Sequence, residues 1–195
     1  MEIIYHRRNT IRELINTPVE YGVEIDVRSQ GSRLVLHHDP FVRGEGFDKW
    51  LAHYKHQTLI LNVKEEGLEG AAIDLLKKHK VSHYFFLDMS FPYIIKKSNE
   101  GLRKIAARLS EFESVETVLS IKDRVEWVWI DCFSRYPLTK KIYTQLKKTH
   151  LKLCLVSPEL VRGNPDEIIQ TLRYLKGNSF VMDAVCTKLP QLWKL

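Results

Sequence analysis

The sequence predicts an α/β fold, a minimal (β/α)8 barrel of the TIM type with short loops and a truncated final helix. Three observations carry this. Eight strand-type apolar runs alternate with helical-period runs from end to end, the pattern of βαβ units on a parallel sheet. No linker, low-complexity tract or composition shift interrupts the 195 residues, so one domain, 1–195, is expected. The first strand ends in His-Arg-Arg-Asn, whereas an open doubly wound sheet usually has a Gly-rich turn there. Eight units average about 24 residues each, and such barrels rarely fall below about 200 residues, so the loops must be short.

The first strand is EIIYH (2–6), followed by the short helix IRELINT. GVEIDV (22–27) is the second, and RLVLHH (33–38) returns from it across Gln30-Gly31 as an added strand. Helical FDKWLAHY leads to the third strand, TLILNVK (58–64), and LEGAAIDLLKKH (68–79) is an amphipathic helix. HYFFLDMS (83–90) and KIAARLS (104–110) are the fourth and fifth strands, with FPYIIKKSN helical between them and SVETVLSI after. EWVWIDCF (126–133) and LKLCLVS (151–157) are the sixth and seventh, separated by the helix LTKKIYTQLKKTH. Pro165 opens the helix EIIQTLRYLK, and DAVCT (183–187) is the eighth strand. The final PQLWKL is too short for a covering helix, which leaves a flank near Leu192 and Trp193 thinly covered and suggests a homodimer there.

Apolar residues make up 44% and charged residues 28%, an ordinary globular balance. There is no apolar run of about 18 residues and no signal-type start, so a cytoplasmic protein with no integral membrane segment is expected. Cys132, Cys154 and Cys186 lie far apart in apolar runs and are expected as buried free thiols. The formal charge of +6 is spread over amphipathic segments such as TKKIYTQLKK, which suits phosphorylated ligands; no nucleic-acid motif is present, and no nucleic-acid partner is expected.

In a parallel barrel the chemistry sits at the C-terminal ends of strands. His6 ends the first strand, and Glu24 and Asp26 share a face of the second. His38-Asp39 ends the return strand, Asn62 and Lys64 end the third, and Asp88 and Ser90 end the fourth. Carboxylates two apart can bind a hard cation such as Mg2+ or Ca2+, which would polarise a phosphoryl oxygen. One histidine can take a proton from a nucleophile while the other gives one to a leaving alkoxide. Arg7 and Lys64 can hold phosphate oxygens. Asp39, Asp88, Arg108 and Asp131 are further candidates to shape the pocket, and His37, facing away from His38, is expected to be structural or exposed.

The motifs HRRNT and GVEIDVRSQGSRLVLHHDP resemble the signature of glycerophosphodiester phosphodiesterases and related phosphatidylinositol-type phospholipases C: His-Arg, then Glu-x-Asp, a turn, and His-Asp-Pro. LILNVK resembles the family's third strand, and MDAVCTKLPQLW its closing strand. The resemblance implies a metal-dependent hydrolase of a small or lipid-derived phosphodiester. His6 and His38 would be the acid/base pair, Arg7 a phosphate contact, Glu24 and Asp26 metal ligands, and Lys64 matches a family lysine at the active-site mouth. The third-strand ligand, usually Glu in the family, is Asn62, whose neutral amide should lower metal affinity; Glu65 or Glu66 could supply the missing charge. Arg8 replaces the usual Gly after His-Arg, Lys188 stands where the family often has Asp, and the inserted domain of many members is absent. Asn62 also favours an alternative, a non-catalytic or repurposed barrel that binds a phosphorylated ligand or a partner protein. A third reading, proton transfer on sugar phosphates, is permitted by the paired histidines.

Overall fold

A computed structural model describes residues 1–194; Leu195 lies outside the described residues. In chain order the first elements are β1 (Glu2–Tyr5), α1 (Ile11–Ile15), β2 (Gly22–Gln30), β3 (Arg33–Leu36), β4 (Glu45–Gly46), α2 (Phe47–Leu51), β5 (Leu59–Val63), α3 (Glu69–Lys78), β6 (Tyr84–Leu87) and α4 (Phe91–Asn99). There follow β7 (Ala106–Leu109), α5 (Val115–Ser120), β8 (Trp127–Ile130), α6 (Lys140–Lys147), β9 (Lys152–Val156), α7 (Pro158–Val161), α8 (Glu167–Gly177), β10 (Ala184–Thr187) and a 3-10 turn at Pro190–Leu192. The chain divides into two compact units: Tyr5–Lys97, and Met1–Ile4 together with the residues from Ser98 onward.

In the Tyr5–Lys97 unit the strand order is β4-β3-β2-β5-β6. β2 and β5 are parallel with Glu24 opposite Ile60 and Asp26 opposite Asn62; β5 and β6 are parallel with Asn62 opposite Leu87. β2 is buried on both faces, Val23, Ile25 and Val27 on one and Glu24 and Asp26 on the other. A parallel strand normally reads as continuous apolar sequence, so two buried carboxylates on its other face need compensating partners. β3 returns antiparallel from β2, with Gln30 opposite Arg33 and Gly31 in the left-handed region at φ 61°, as the tight turn requires. The Thr10–Glu13 capping box starts α1, and Phe47, Trp50, Ala72 and Leu76 bury the inner faces of α2 and α3.

In the second unit the order is β1-β10-β9-β8-β7, all parallel in the registered pairs β7–β8, β8–β9 and β9–β10. The Glu2 N–H donates to Asp183 O at 2.8 Å, which ties β1 to the approach to β10. Ser114 and Thr139 cap α5 and α6 through their hydroxyls. The three cysteines are free and buried, as expected. Trp193 is buried and its indole N–H donates to Ser157 Oγ at 2.9 Å, so the short C-terminal turn itself covers part of this unit.

All eight expected strands form among the described residues, so the α/β class of the expected barrel holds. Among the described residues, β6 is laddered to β5 and β7 to β8. β6 and β7 are four residues each, and the Ile105 carbonyl before β7 accepts from Trp127 N–H at 3.1 Å. No described helix is long and apolar enough to cross a membrane.

Candidate active site

The Tyr5–Lys97 unit gathers a charged cluster around the buried pair Glu24 and Asp26. His6 leaves β1 with Nε2 3.6 Å from Glu24 Oε2. Arg7 takes a left-handed backbone, φ 56°, which turns its N–H onto Glu24 Oε2 at 2.8 Å. A non-glycine residue pays about 1–2 kcal/mol for that conformation, a cost often found at functional sites. The Arg7 Nε lies 3.3 Å from Asp26 Oδ2, and Lys64 Nζ lies 3.2 Å from Asp26 Oδ1. Lys64 also lies 3.6 Å from Asp88 Oδ2. Strand alternation would send Asp88 to the face opposite Leu87; a left-handed φ of 65° at Asp88 redirects it.

Asn9, not anticipated from the sequence, clamps Asp26 from both sides. Its Nδ2 donates to Asp26 Oδ2, and its Oδ1 accepts from Asp26 N, both at 2.8 Å. An Asn two residues beyond a His-Arg pair carries no periodic or charge signal, so only the register of β2 exposes its role. The Arg8 guanidinium stacks 3.8 Å over the Tyr5 ring rather than joining the cluster.

Burial, and after it the charge of Asp26, pushes the Glu24 pKa up to about 8, with the Arg7 N–H, Lys64 and the Asn62 amide offsetting part of the rise. Glu24 Oε1 and Asn62 Oδ1 are buried and accept no hydrogen bond. Two buried oxygens that accept no hydrogen bond suit a hard, oxygen-seeking cation. Glu24, Asn62 and Asp26 thus fit a divalent ion in chemistry, although Asp26 is already held by Lys64 and Arg7. No group of three His, Cys, Asp or Glu side chains with metal-site geometry occurs among the described residues.

His38 stands apart from this contact network. Its Nδ1 lies 2.8 Å from Asp39 Oδ1, and the two side chains are 44% and 67% exposed. That bond, with Arg7 nearby, holds the Asp39 pKa below its usual value. The backbone nevertheless brings His38 alongside β2: His37 N donates to Asp26 O at 3.1 Å, and Arg28 donates to His38 O at 2.9 and 3.1 Å. The His37 Nδ1 accepts from Asp39 N–H at 3.0 Å. Glu65 is held by Ser29 and Arg28, and Glu66 accepts from Ser90 Oγ, so neither stands in for a third metal carboxylate. Arg108 and Asp131, in the other unit, form a close ion pair with each other.

No protein-family model and no curated protein matches the sequence. Solved structures do match along the full chain. A protein of Agrobacterium tumefaciens assigned as a glycerophosphoryl diester phosphodiesterase superposes with a TM-score of 0.71 at 14% identity, covering 98% of this chain and 94% of that one. A glycerophosphodiester phosphodiesterase of Parabacteroides distasonis gives 0.62 at 14% identity, covering 97% and 93%. A glycerol uptake operon antiterminator-related protein of Thermotoga maritima gives 0.55 at 17% identity, covering 100% and 98%. At such identities the likeness establishes a shared fold, and function must be argued from the site.

Proposed function

We propose that the chain, residues 1–195 as a single phosphodiesterase-like domain, is a metal-dependent phosphodiester hydrolase of the glycerophosphodiester phosphodiesterase type. The observation that carries this reading is the convergence of His6, Arg7 and Lys64 on the buried Glu24–Asp26 pair in one compact unit. Arg7 and Lys64 supply positive charge for the non-bridging phosphate oxygens. With Nδ1 engaged by Asp39, His38 presents Nε2 as the basic nitrogen that takes the proton of the attacking hydroxyl. His6, with Nε2 facing Glu24, is the donor to the leaving alkoxide. Glu24, Asp26 and Asn62 would hold the cation, Mg2+ or Ca2+, which supplies Lewis-acid polarisation of the phosphoryl group when bound. Three buried free thiols support a cytoplasmic, reducing setting.

The test is hydrolysis of glycerophosphodiesters and lipid-derived phosphodiesters with Mg2+, Ca2+ or Mn2+ against EDTA. Cation-dependent release of the alcohol is the expected result; no turnover across the panel sinks the reading. A second reading, a binding protein for a phosphorylated ligand or a partner protein, is favoured by the Lys64–Asp26 contact, which occupies a carboxylate that a metal would need. Tight binding of a phosphate ester without turnover would select it.

A further inference from the structure

We propose that the loop carrying Phe41 and Val42 is a wedge that docks the protein onto an anionic phospholipid bilayer, bringing His38 to the lipid surface. Phe41 is fully exposed, at 106%, and Val42 is 46% exposed. Single exposed apolar side chains are common and need no explanation. Phe41 differs because its backbone is left-handed, φ 62°, a conformation that a bulky residue adopts only when its surroundings impose it. The base of the loop is correspondingly rigid. Arg28 grips His38 O, the His37 ring holds Asp39, and the chain at Gly44 passes so close to β3 that an added Cβ would lie 2.8 Å from Leu36 O. The result is an aromatic tip held outward three residues beyond His38.

A second apolar tip follows β6. Phe91, 46% exposed, opens α4 three residues after Asp88, and further along α4 Lys96 and Lys97 each lie 5.4 Å from the Tyr93 ring. Arg43 flanks the first tip and is exposed. Aromatic tips with adjacent basic residues are the composition of segments that sit at an anionic membrane interface, where rings enter the acyl boundary and cations remain among the headgroups. The net charge of +6 has the complementary sign. A protein partner fits less well: a stable interface needs roughly 800 Å² on each side, whereas a fluid bilayer accepts a projecting tip of one or two side chains. In placing a lipid phosphodiester before His38, the proposal rests on the hydrolase reading; the docking itself does not.

Co-sedimentation with vesicles tests it, using phosphatidylcholine alone and phosphatidylcholine mixed with phosphatidylglycerol. The wild type should bind the mixed vesicles, release with salt and bind the neutral ones weakly. Phe41→Ser and Phe91→Ala should each weaken binding about tenfold, the scale of one aromatic side chain withheld from an apolar phase. Both should melt as the wild type does and leave turnover of soluble bis(p-nitrophenyl) phosphate unchanged. No binding to the mixed vesicles, or equal binding by both variants, overturns the proposal. So does a Phe41→Ser effect confined to self-association in sedimentation, which would assign the tip to a second copy. Absence of turnover by the wild type would sink the hydrolase reading, while vesicle binding lost on Phe41→Ser would still support docking.

Discussion

Glu24 concentrates the physics of the site at the residue scale. Its folded pKa of about 8 lies above the ordinary value of 4.5, so burial disfavours the charged form. Native protein then holds a proton that the unfolded chain loses, and stability should fall as pH rises from about 4.5 to about 8. Glu24→Gln keeps an oxygen for the Arg7 N–H and removes the penalty. Its melting temperature should match the wild type near pH 4 and exceed it increasingly up to pH 8, in scanning calorimetry without divalent ions. A constant difference across that range would contradict the assignment. A cation at the same oxygens should restore the charged form, so adding Mg2+ or Ca2+ should stabilise the wild type more at pH 8 than at pH 6. Asn62→Glu adds a carboxylate beside Asp26 and should tighten Mg2+ or Ca2+ binding in calorimetry; unchanged affinity would place the cation elsewhere. The sequence made His6, Glu24, Asp26 and Lys64 legible because strand ends and period-two spacing place them on one face. Asn9 was not legible, since its role depends on which strand edge its loop reaches.

Among the elements, α2 anchors the loop that carries the site. Trp50 is fully buried, and its indole N–H donates to Arg8 O at 2.9 Å, so the helix fixes the segment His6–Asn9 against β2. Trp50→Phe keeps most of the packing but strands that carbonyl, and should cost about 1–3 kcal/mol in urea unfolding. It should also slow phosphodiester turnover if His6 is a proton donor. Loss of neither stability nor rate would mean the loop is held by other contacts. The strands were readable because each is an apolar run bounded by turn residues. The two-residue β4 and four-residue α7 are too short for periodicity to show. The left-handed backbones at Arg7 and Asp88 were hidden for a different reason: such conformations normally select Gly or Asn, and here tertiary contacts impose them on Arg and Asp.

For the whole molecule, the alternation of strand and helix correctly announced an α/β fold, and solved phosphodiesterases share it over nearly the full chain. The division into two compact units was not legible, because the strand–helix alternation runs across it without a linker. The homodimer expected near Leu192 and Trp193 becomes a narrower hypothesis, since Trp193 is buried while Leu192 stays partly exposed. Sedimentation at micromolar concentration should detect it, and a strict monomer would remove it. The central claim is that the histidines and the charged cluster form one phosphodiester-cleaving site. It is tested most directly by the rate of bis(p-nitrophenyl) phosphate hydrolysis, with saturating Mg2+ or Ca2+, in the wild type, His6→Ala and His38→Ala. Each variant should lose about 100-fold or more while melting as the wild type does. Wild-type rates in both variants would contradict it.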